Sequence, residues 1–242
     1  MNDNSKTYGE ACAEIYDQWF GYYEDTAIET LAELAQSGRV LELGIGTGLI
    51  AIPLASRGIT VHGIDNSPEM VSRLRAKPGG DSISVMMGSF ADVDVEGEFS
   101  LIFVVFNTFF ALQSQEEQVR CFRNVSEHLA VGGLFLLEAF VPNLAHFSGG
   151  QSIRTTSLTS DRISLKVSQH DGTQQRIKSQ HVVIFNNEIK LYPVEVRYAW
   201  PSELDLMAQL AGLRLRHRWS NWNRERFDSN SEKHISVYER FA

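Results

Sequence analysis

Apolar residues recur along this chain at two spacings, and the switches between them mark out its elements. Ala11, Ile15, Trp19 and Phe20, then Ile28, Leu31, Leu34 and Ala35, return near the 3.6-residue period and predict two helices between 8 and 35. A short apolar run predicts a buried strand over 40–43, cut off by glycines at 44, 46 and 48. A helix follows over 49–56, with Pro53 near its first turn, where a missing N–H costs least, and Gly58 as its stop. The next apolar run, 61–64, is closed by Asp65. Residues 67–76 read as a helix with Ser67 as N-cap, Pro68 at the first position and Glu69 in the first turn. Strands are predicted over 84–87 and 99–106, the second almost wholly apolar, as burial on both faces requires. A helix over 115–129 puts Val119, Phe122, Val125 and Leu129 on one face. A fifth strand covers 134–140, its apolar run interrupted by Glu138.

Between 148 and 198 the strand–helix alternation breaks. Apolar and polar residues alternate over 163–170, 177–185 and 188–199, with Asp171-Gly172 and Asn186-Asn187 as turn signals. Three antiparallel strands follow from this pattern. Such an amphipathic sheet must bury one face, either over an active site or against a second copy of the chain in a homodimer. A helix over 202–211, with Pro201 at its start and Gly212 at its end, restores the main pattern. Strands at 213–219 and 235–241 close the chain across a polar connection holding Trp222 and Phe227.

The unit at 40–65 is strand, glycine loop, helix, strand and acid, which is one βαβ crossover. Small residues at 44, 46 and 48 let a ligand approach the backbone closely, and the helix beyond them turns free N–H groups toward that ligand. Asp65 stands where a carboxylate accepts from ribose hydroxyls. The spacing is GxGxG rather than the dinucleotide GxGxxG. Glu42, two residues before the first glycine, would oppose a pyrophosphate and suits a ligand with a cationic centre.

These residues resemble motif I and the following acid of class I S-adenosylmethionine (SAM) methyltransferases. The resemblance implies SAM as cofactor, with Glu42, Gly44, Gly46 and Gly48 around its amino-acid part and Asp65 on the ribose. Asn66 and Met70 would flank the adenine, although methionine also fills cores. Gly88, Ser89 and Phe90 would continue that wall, with Ser89 standing where the family commonly has an aspartate. Tyr8 and Tyr16-Asp17 resemble the Y…YD start of small-molecule methyltransferases, whose tyrosines line the cofactor or acceptor. The implied fold is α/β: a Rossmann-like, seven-stranded, mostly parallel sheet with an antiparallel last strand and helices on both faces, plus the inserted antiparallel meander. Residues 1–36 would be a helical lid, 37–147 and 200–242 the SAM-binding core, and 148–199 an acceptor cap or dimer contact.

Phe106 and Asn107 lie at a strand end where cofactor or acceptor is expected, and Thr108, Phe109, Glu138 and His146 join them as acceptor contacts. Trp19 and Tyr22 are assigned to the acceptor as well, with a core stripe as the alternative for Trp19. The meander, the Y…YD start and the Asn-Thr-Phe-Phe segment look most like bacterial N-methyltransferases acting on amines of sugars, amino acids or modified peptides. An amine loses its proton readily, so solvent, Tyr16 or His146 suffices as acceptor of that proton. An O-methyltransferase for a phenol, carboxylate or alcohol, and a SAM-binding protein without turnover, are the alternatives.

Composition narrows the partners. With 30 acidic against 22 basic side chains the net charge is −8, and no basic cluster invites nucleic acid. Only two cysteines occur, with no metal-site spacing, so no metal is expected. No signal-peptide core and no 18-residue apolar run is present, which fits a cytoplasmic protein off the membrane, acting on a small-molecule or peptide acceptor.

Overall fold

The structure is a computed structural model that describes residues 8–20, 23–92, 95–186 and 188–240. Its centre is strand β1 (Val40–Leu43), buried along its whole length. Parallel partners flank it: β2 (Val61–Asp65), with Val40 opposite Val61, and β4 (Phe99–Val104), with Val40 opposite Leu101. Strand β3 (Ser84–Met87) extends the β2 side, and β5 (Leu129–Phe140) the β4 side. Two closing strands, β10 (Leu213–Trp219) and β11 (Lys233–Arg240), complete the order β10-β11-β5-β4-β1-β2-β3, with β11 antiparallel to both neighbours. Between β1 and β4 the winding of the sheet reverses, since β2 and β3 are added on one side of β1 and β4 and β5 on the other. Open α/β sheets bind ligands at the carboxyl ends of strands beside such a reversal.

Helices cover both faces because each strand carries apolar side chains both ways. On one face α2 (Asp25–Ala35), α3 (Ala51–Ser56) and Leu74 of α4 (Pro68–Arg75) close a core with Val40, Phe103 and Trp222. On the other, α5 (Gln115–His128) and α6 (Pro201–Leu210) pack Phe122, Val125, Leu204 and Met207 against Phe135 and Ile102. The expected caps form. Ser67 Oγ accepts from Met70 N at 3.3 Å, and Ser114 with Glu117 makes a capping box at the start of α5.

Three expectations need correction. Strand β4 ends at Val104, because Phe106 and Asn107 adopt φ of 57° and 64° and turn the chain out of the sheet. Strand β5 begins at Leu129, not at 134. The Gly132-Gly133 corner is absorbed as an irregularity, with Phe99 opposite Leu129 but Leu101 opposite Leu134. The inserted sheet has four strands, not three: β6 (Gln151–Leu158), β7 (Arg162–Asp171), β8 (Arg176–Phe185) and β9 (Glu188–Arg197), in that spatial order. Strand β6 lies at one edge of that sheet. Its two large apolar side chains, Ile153 and Leu158, are over 70% exposed, so no alternation marks it.

The inserted sheet is fastened to the core by a buried set of bonds. Arg197 on β9 donates to Gln118 Oε1 at 2.5 Å and to Glu203 Oε1 at 2.6 Å, while Gln118 Nε2 donates back to the Arg197 carbonyl at 2.8 Å. A second buried carboxylate ties the core to the chain's last loop. Glu138 Oε2 accepts from Tyr23 OH at 2.6 Å and Phe106 N at 3.2 Å, and Oε1 from Trp222 Nε1 and Lys233 Nζ at 3.2 Å each. Removing one partner of a buried charged network leaves the rest desolvated and unmatched. Glu138→Ala is therefore expected to lower stability by about 3–5 kcal/mol. Urea unfolding checks this, and a loss below about 1 kcal/mol would show that the donors find other partners.

Candidate active site

At the end of β1 the backbone turns sharply, and Gly44 N and Ile45 N both donate to Ile64 O at the end of β2, at 2.8 and 2.9 Å. Gly44 has φ of 74°, and a Cβ there would lie 2.4 Å from the Thr108 methyl. A side chain at 44 is thus excluded both by conformation and by space. Gly46 is open instead: a Cβ would meet nothing closer than the Gly44 carbonyl at 4.0 Å. This leaves its backbone free to be approached. Gly48 faces the other way, onto Leu74 and Ile52, and serves helix packing.

Asp65 fixes this turn. Its Oδ2 accepts from Gly46 N at 2.7 Å and its Oδ1 from Ser67 N at 2.8 Å. Burial raises its pKa, against the lowering effect of these backbone donors. Behind the loop sits Glu42, 3% exposed, whose pKa burial and the neighbouring Asp65 push well up. Its Oε2 has no hydrogen-bond partner, an unusual state for a buried carboxylate oxygen. Tyr16 on α1 (Tyr8–Phe20) stands close enough for Glu42 and Asp65 to add to burial in raising its phenol pKa.

Helix α1 is latched onto the loop by the residue after Tyr16. Asp17 accepts from Thr47 Oγ1 at 2.6 Å and pairs with Lys77 at 2.8 Å, and Lys77 donates to the Thr47 carbonyl at 2.8 Å. Together these elements wall a cavity of about 710 Å³. Gly44, Gly46, Asp65, Asn66, Met70 and Phe90 form the core side, Tyr16 and Thr108 stand at its flanks, and Ser168, Ser179, Gln180 and Glu195 contribute from the inserted sheet. Its size suits a drug-sized ligand. A bare glycine turn, an acid at the end of β2 and an apolar Met70–Phe90 wall fit SAM, whose sulfonium is cationic and whose amino-acid part is a zwitterion.

The structure does not bring every expected residue here. Gly88 and Ser89 lie beside the cavity wall but do not line it. Gly88 N donates to the Asp65 carbonyl at 2.9 Å, and Ser89 Oγ accepts from Ala91 N at 3.2 Å, so that hydroxyl caps its own turn. Phe106, Asn107 and Glu138 line a separate pocket of about 620 Å³. There Asn107 Oδ1 accepts from Phe140 N at 2.7 Å, and the Phe106 ring packs on Tyr23 at 4.4 Å. Phe109 is fully buried, edge-on to Phe110 and Phe122, and cannot touch an acceptor; its assignment to the acceptor is corrected to the core. Glu138 is taken up by the four donors described above. His146 is exposed, in a third pocket of about 710 Å³, with Arg154 Nη1 3.2 Å from its Nδ1. It does not share a cavity with Tyr16. Tyr22 and the side chains of Tyr8 and Trp19 lie outside the described residues.

Sequence reasoning missed Asp17 as a latch, although it stood in the Tyr16-Asp17 pair, and missed Thr47 and Lys77 with it. It also missed the wall from the inserted sheet, where Ser168 and Ser179 share a 2.8 Å hydrogen bond and Gln113 Nε2 donates to the Glu195 carbonyl at 2.8 Å. No local signal marks these residues, because only the strand register brings them over the loop.

Comparison with known proteins agrees with this geometry. A family model described as a methyltransferase domain matches residues 40–133. The solved CcbJ methyltransferase from Streptomyces caelestis is 38% identical, with a TM-score of 0.91 and coverage of 98% of this chain and 99% of that one. The cypemycin N-terminal methyltransferase of a Streptomyces species is 29% identical over 202 residues, 83% of this chain and 82% of that protein. An S-adenosylmethionine-dependent methyltransferase from Clostridium acetobutylicum shares the fold, with a TM-score of 0.79 at 16% identity over 95% of this chain and 98% of that one. The chain belongs to the SAM-dependent methyltransferases. Its cofactor is SAM, and among the described residues no helix is long and apolar enough to cross a membrane.

The position of Asp65 gives a direct test. Asp65→Ala removes the brace on Gly46 and, with Asp65 as the ribose acceptor that the family resemblance implies, that contact as well; SAM affinity is then expected to fall roughly 30- to 1000-fold, about 2–4 kcal/mol. Calorimetric titration of SAM measures this, and unchanged affinity would overturn the assignment of Asp65.

Proposed function

We propose that the protein transfers the methyl group of SAM to an amine nitrogen of a small-molecule or peptide acceptor, in the cytoplasm and without nucleic acid as a partner. The observation that carries this reading is the set of ionisable groups around the cavity. No histidine is among the described residues that line it. Burial keeps the Tyr16 phenol protonated at neutral pH, Asp65 is held by backbone N–H groups, and Glu195 lies 2.8 Å from Arg176. Among the described residues that line the cavity, none is left poised as a committed base. A phenol or alcohol acceptor calls for such a base, whereas an amine with a pKa near the working pH sheds its proton to water. The name of the cypemycin relative, an N-terminal methyltransferase, supports the same class of acceptor.

SAM, when bound, supplies a methyl group already activated on a sulfonium, so the protein's share is alignment in a closed, dry site. In this reading α1 acts as a lid, held shut by Asp17, and the inserted sheet caps the acceptor. Tyr16 donates its phenolic hydrogen bond to orient the nucleophile or the cofactor. It does so as a neutral phenol, and the base role considered for it passes to solvent. His146, outside the cavity, acts on acceptor binding rather than on the proton.

Tyr16→Phe is expected to lower kcat roughly ten- to a hundredfold without abolishing it. His146→Ala should leave kcat intact and change only the KM for acceptor. For all three proteins the rate should rise with pH and level off once the acceptor amine is neutral. Abolition of activity in His146→Ala with SAM binding intact, or a phenol as best substrate in an acceptor screen, would reject the amine reading.

A further inference from the structure

The inserted sheet carries a row of like charges. Register sets Arg154 on β6 opposite Lys166 on β7, and Lys166 opposite His181 on β8, so the three basic side chains stand side by side on one face. Residues directly opposite on antiparallel strands have Cβ atoms about 4.5–5.5 Å apart, and like charges there are destabilising. The repulsion is felt: Lys166 is held below its usual pKa by burial and by Arg154, and His181 by burial and by Lys166. Among the described residues neither Arg154 nor Lys166 forms an ion pair, in a protein with a net charge of −8 and acidic groups to spare.

Arg154 and Lys166 both line the third pocket, with His146 and the polar Ser152 and Asn143. His146 accepts from Arg154 through Nδ1 at 3.2 Å, which orients the guanidinium without neutralising it. This pocket is not remote from the cofactor cavity. Ser168, two residues along β7 from Lys166 and on the same face, lines both. A molecule lying across Ser168 therefore reaches the glycine loop at one end and two unneutralised cations at the other.

We propose that this pocket is an oxyanion subsite for the acceptor, in which Arg154 and Lys166 hold a carboxylate or phosphate while the nucleophile lies in the cofactor cavity. The proposal rests on the reading of the protein as a methyltransferase for an external acceptor, and it narrows that acceptor to one bearing an anionic group. Arg154 supplies a planar fork matched to an oxyanion, and Lys166 a point charge opposite it. A bound anion would relieve the repulsion within the row, and residues 229–232 form the pocket's second wall.

The test is calorimetric titration of the full chain with inorganic phosphate and, separately, with succinate, for wild type, Arg154→Gln, Lys166→Gln and Arg154→Lys. Wild type is expected to bind at least one of the two anions, with affinity falling about tenfold or more in each glutamine variant and partly restored in Arg154→Lys. Tighter phosphate binding identifies a phosphorylated acceptor, and tighter succinate binding a carboxylate one. SAM affinity should not move, and the urea midpoint of either glutamine variant should match or exceed that of wild type, because a repulsive pair has been removed. Absence of binding for both anions, equal binding by all four proteins, or a parallel loss of SAM affinity would overturn the proposal; the last would assign the row to the cofactor's own carboxylate. Anion binding with no turnover of any amine would leave this subsite standing and count against the amine reading alone.

Discussion

Everything in this protein hangs on the hold that Asp65 has on the glycine turn. The carboxylate at the end of β2 accepts from both Gly46 N and Ser67 N, joining the loop after β1 to the start of α4. One side chain thereby sets the shape of the loop after β1 and the start of α4, two elements that line the cavity. The desolvation of Asp65, and of Glu42 behind it, is unfavourable in isolation. For Asp65 it is offset in part by backbone donors, whereas Glu42 keeps one oxygen without a hydrogen-bond partner and is pushed toward its neutral form. The cavity is thus a backbone-lined cradle with a side-chain-free floor at Gly46.

Around this cradle the chain adds closure. Asp17 and Lys77 fasten α1 across the loop through Thr47, and Arg197, Gln118 and Glu203 fasten the inserted sheet to the helical face of the core. These are different kinds of fastening. The Asp17–Lys77 pair is partly exposed, so it is screened and weak. The Arg197–Glu203 pair is largely buried and fully hydrogen-bonded, which suits a wall that stays in place. Stability and access are divided between the two ends of the cavity by the burial of the charges that hold them.

The core was legible in the sequence because it rests on local rules. Glycines at 44, 46 and 48, the apolar runs of β1, β2 and β4, Ser67-Pro68 at a helix start and Asp65 after a strand each act within a few residues. Where local and tertiary demands diverged, the reading failed. Phe109 follows a strand end and so looked like a site residue, but the turn made by Phe106 and Asn107 at positive φ swings it into the core. Asn107 and Glu138 have the polarity of ligand contacts, but Asn107 Oδ1 accepts from Phe140 N and Glu138 from Tyr23, Trp222, Phe106 N and Lys233, and both line a pocket apart from the glycine loop. His146 stood out as a lone histidine near a strand exit, and only the path of β6 and β7 shows which pocket it enters. The cavity wall from the inserted sheet was illegible for the same reason: register across four strands, one of them an edge strand without a pattern, decides which polar side chains meet.

The account's central claim is that this cavity aligns a neutral amine, with no base reserved for a hydroxyl. The most direct measurement is a competition within one molecule: peptides carrying both a free N-terminal amine and a tyrosine, and small amines carrying a phenol, are incubated with SAM labelled with ¹³C at the methyl group. Carbon NMR of the product then shows which atom received the label. The account predicts the N-methyl signal, growing as pH rises toward the amine pKa. A product labelled at the phenolic oxygen, with the amine untouched, would contradict it.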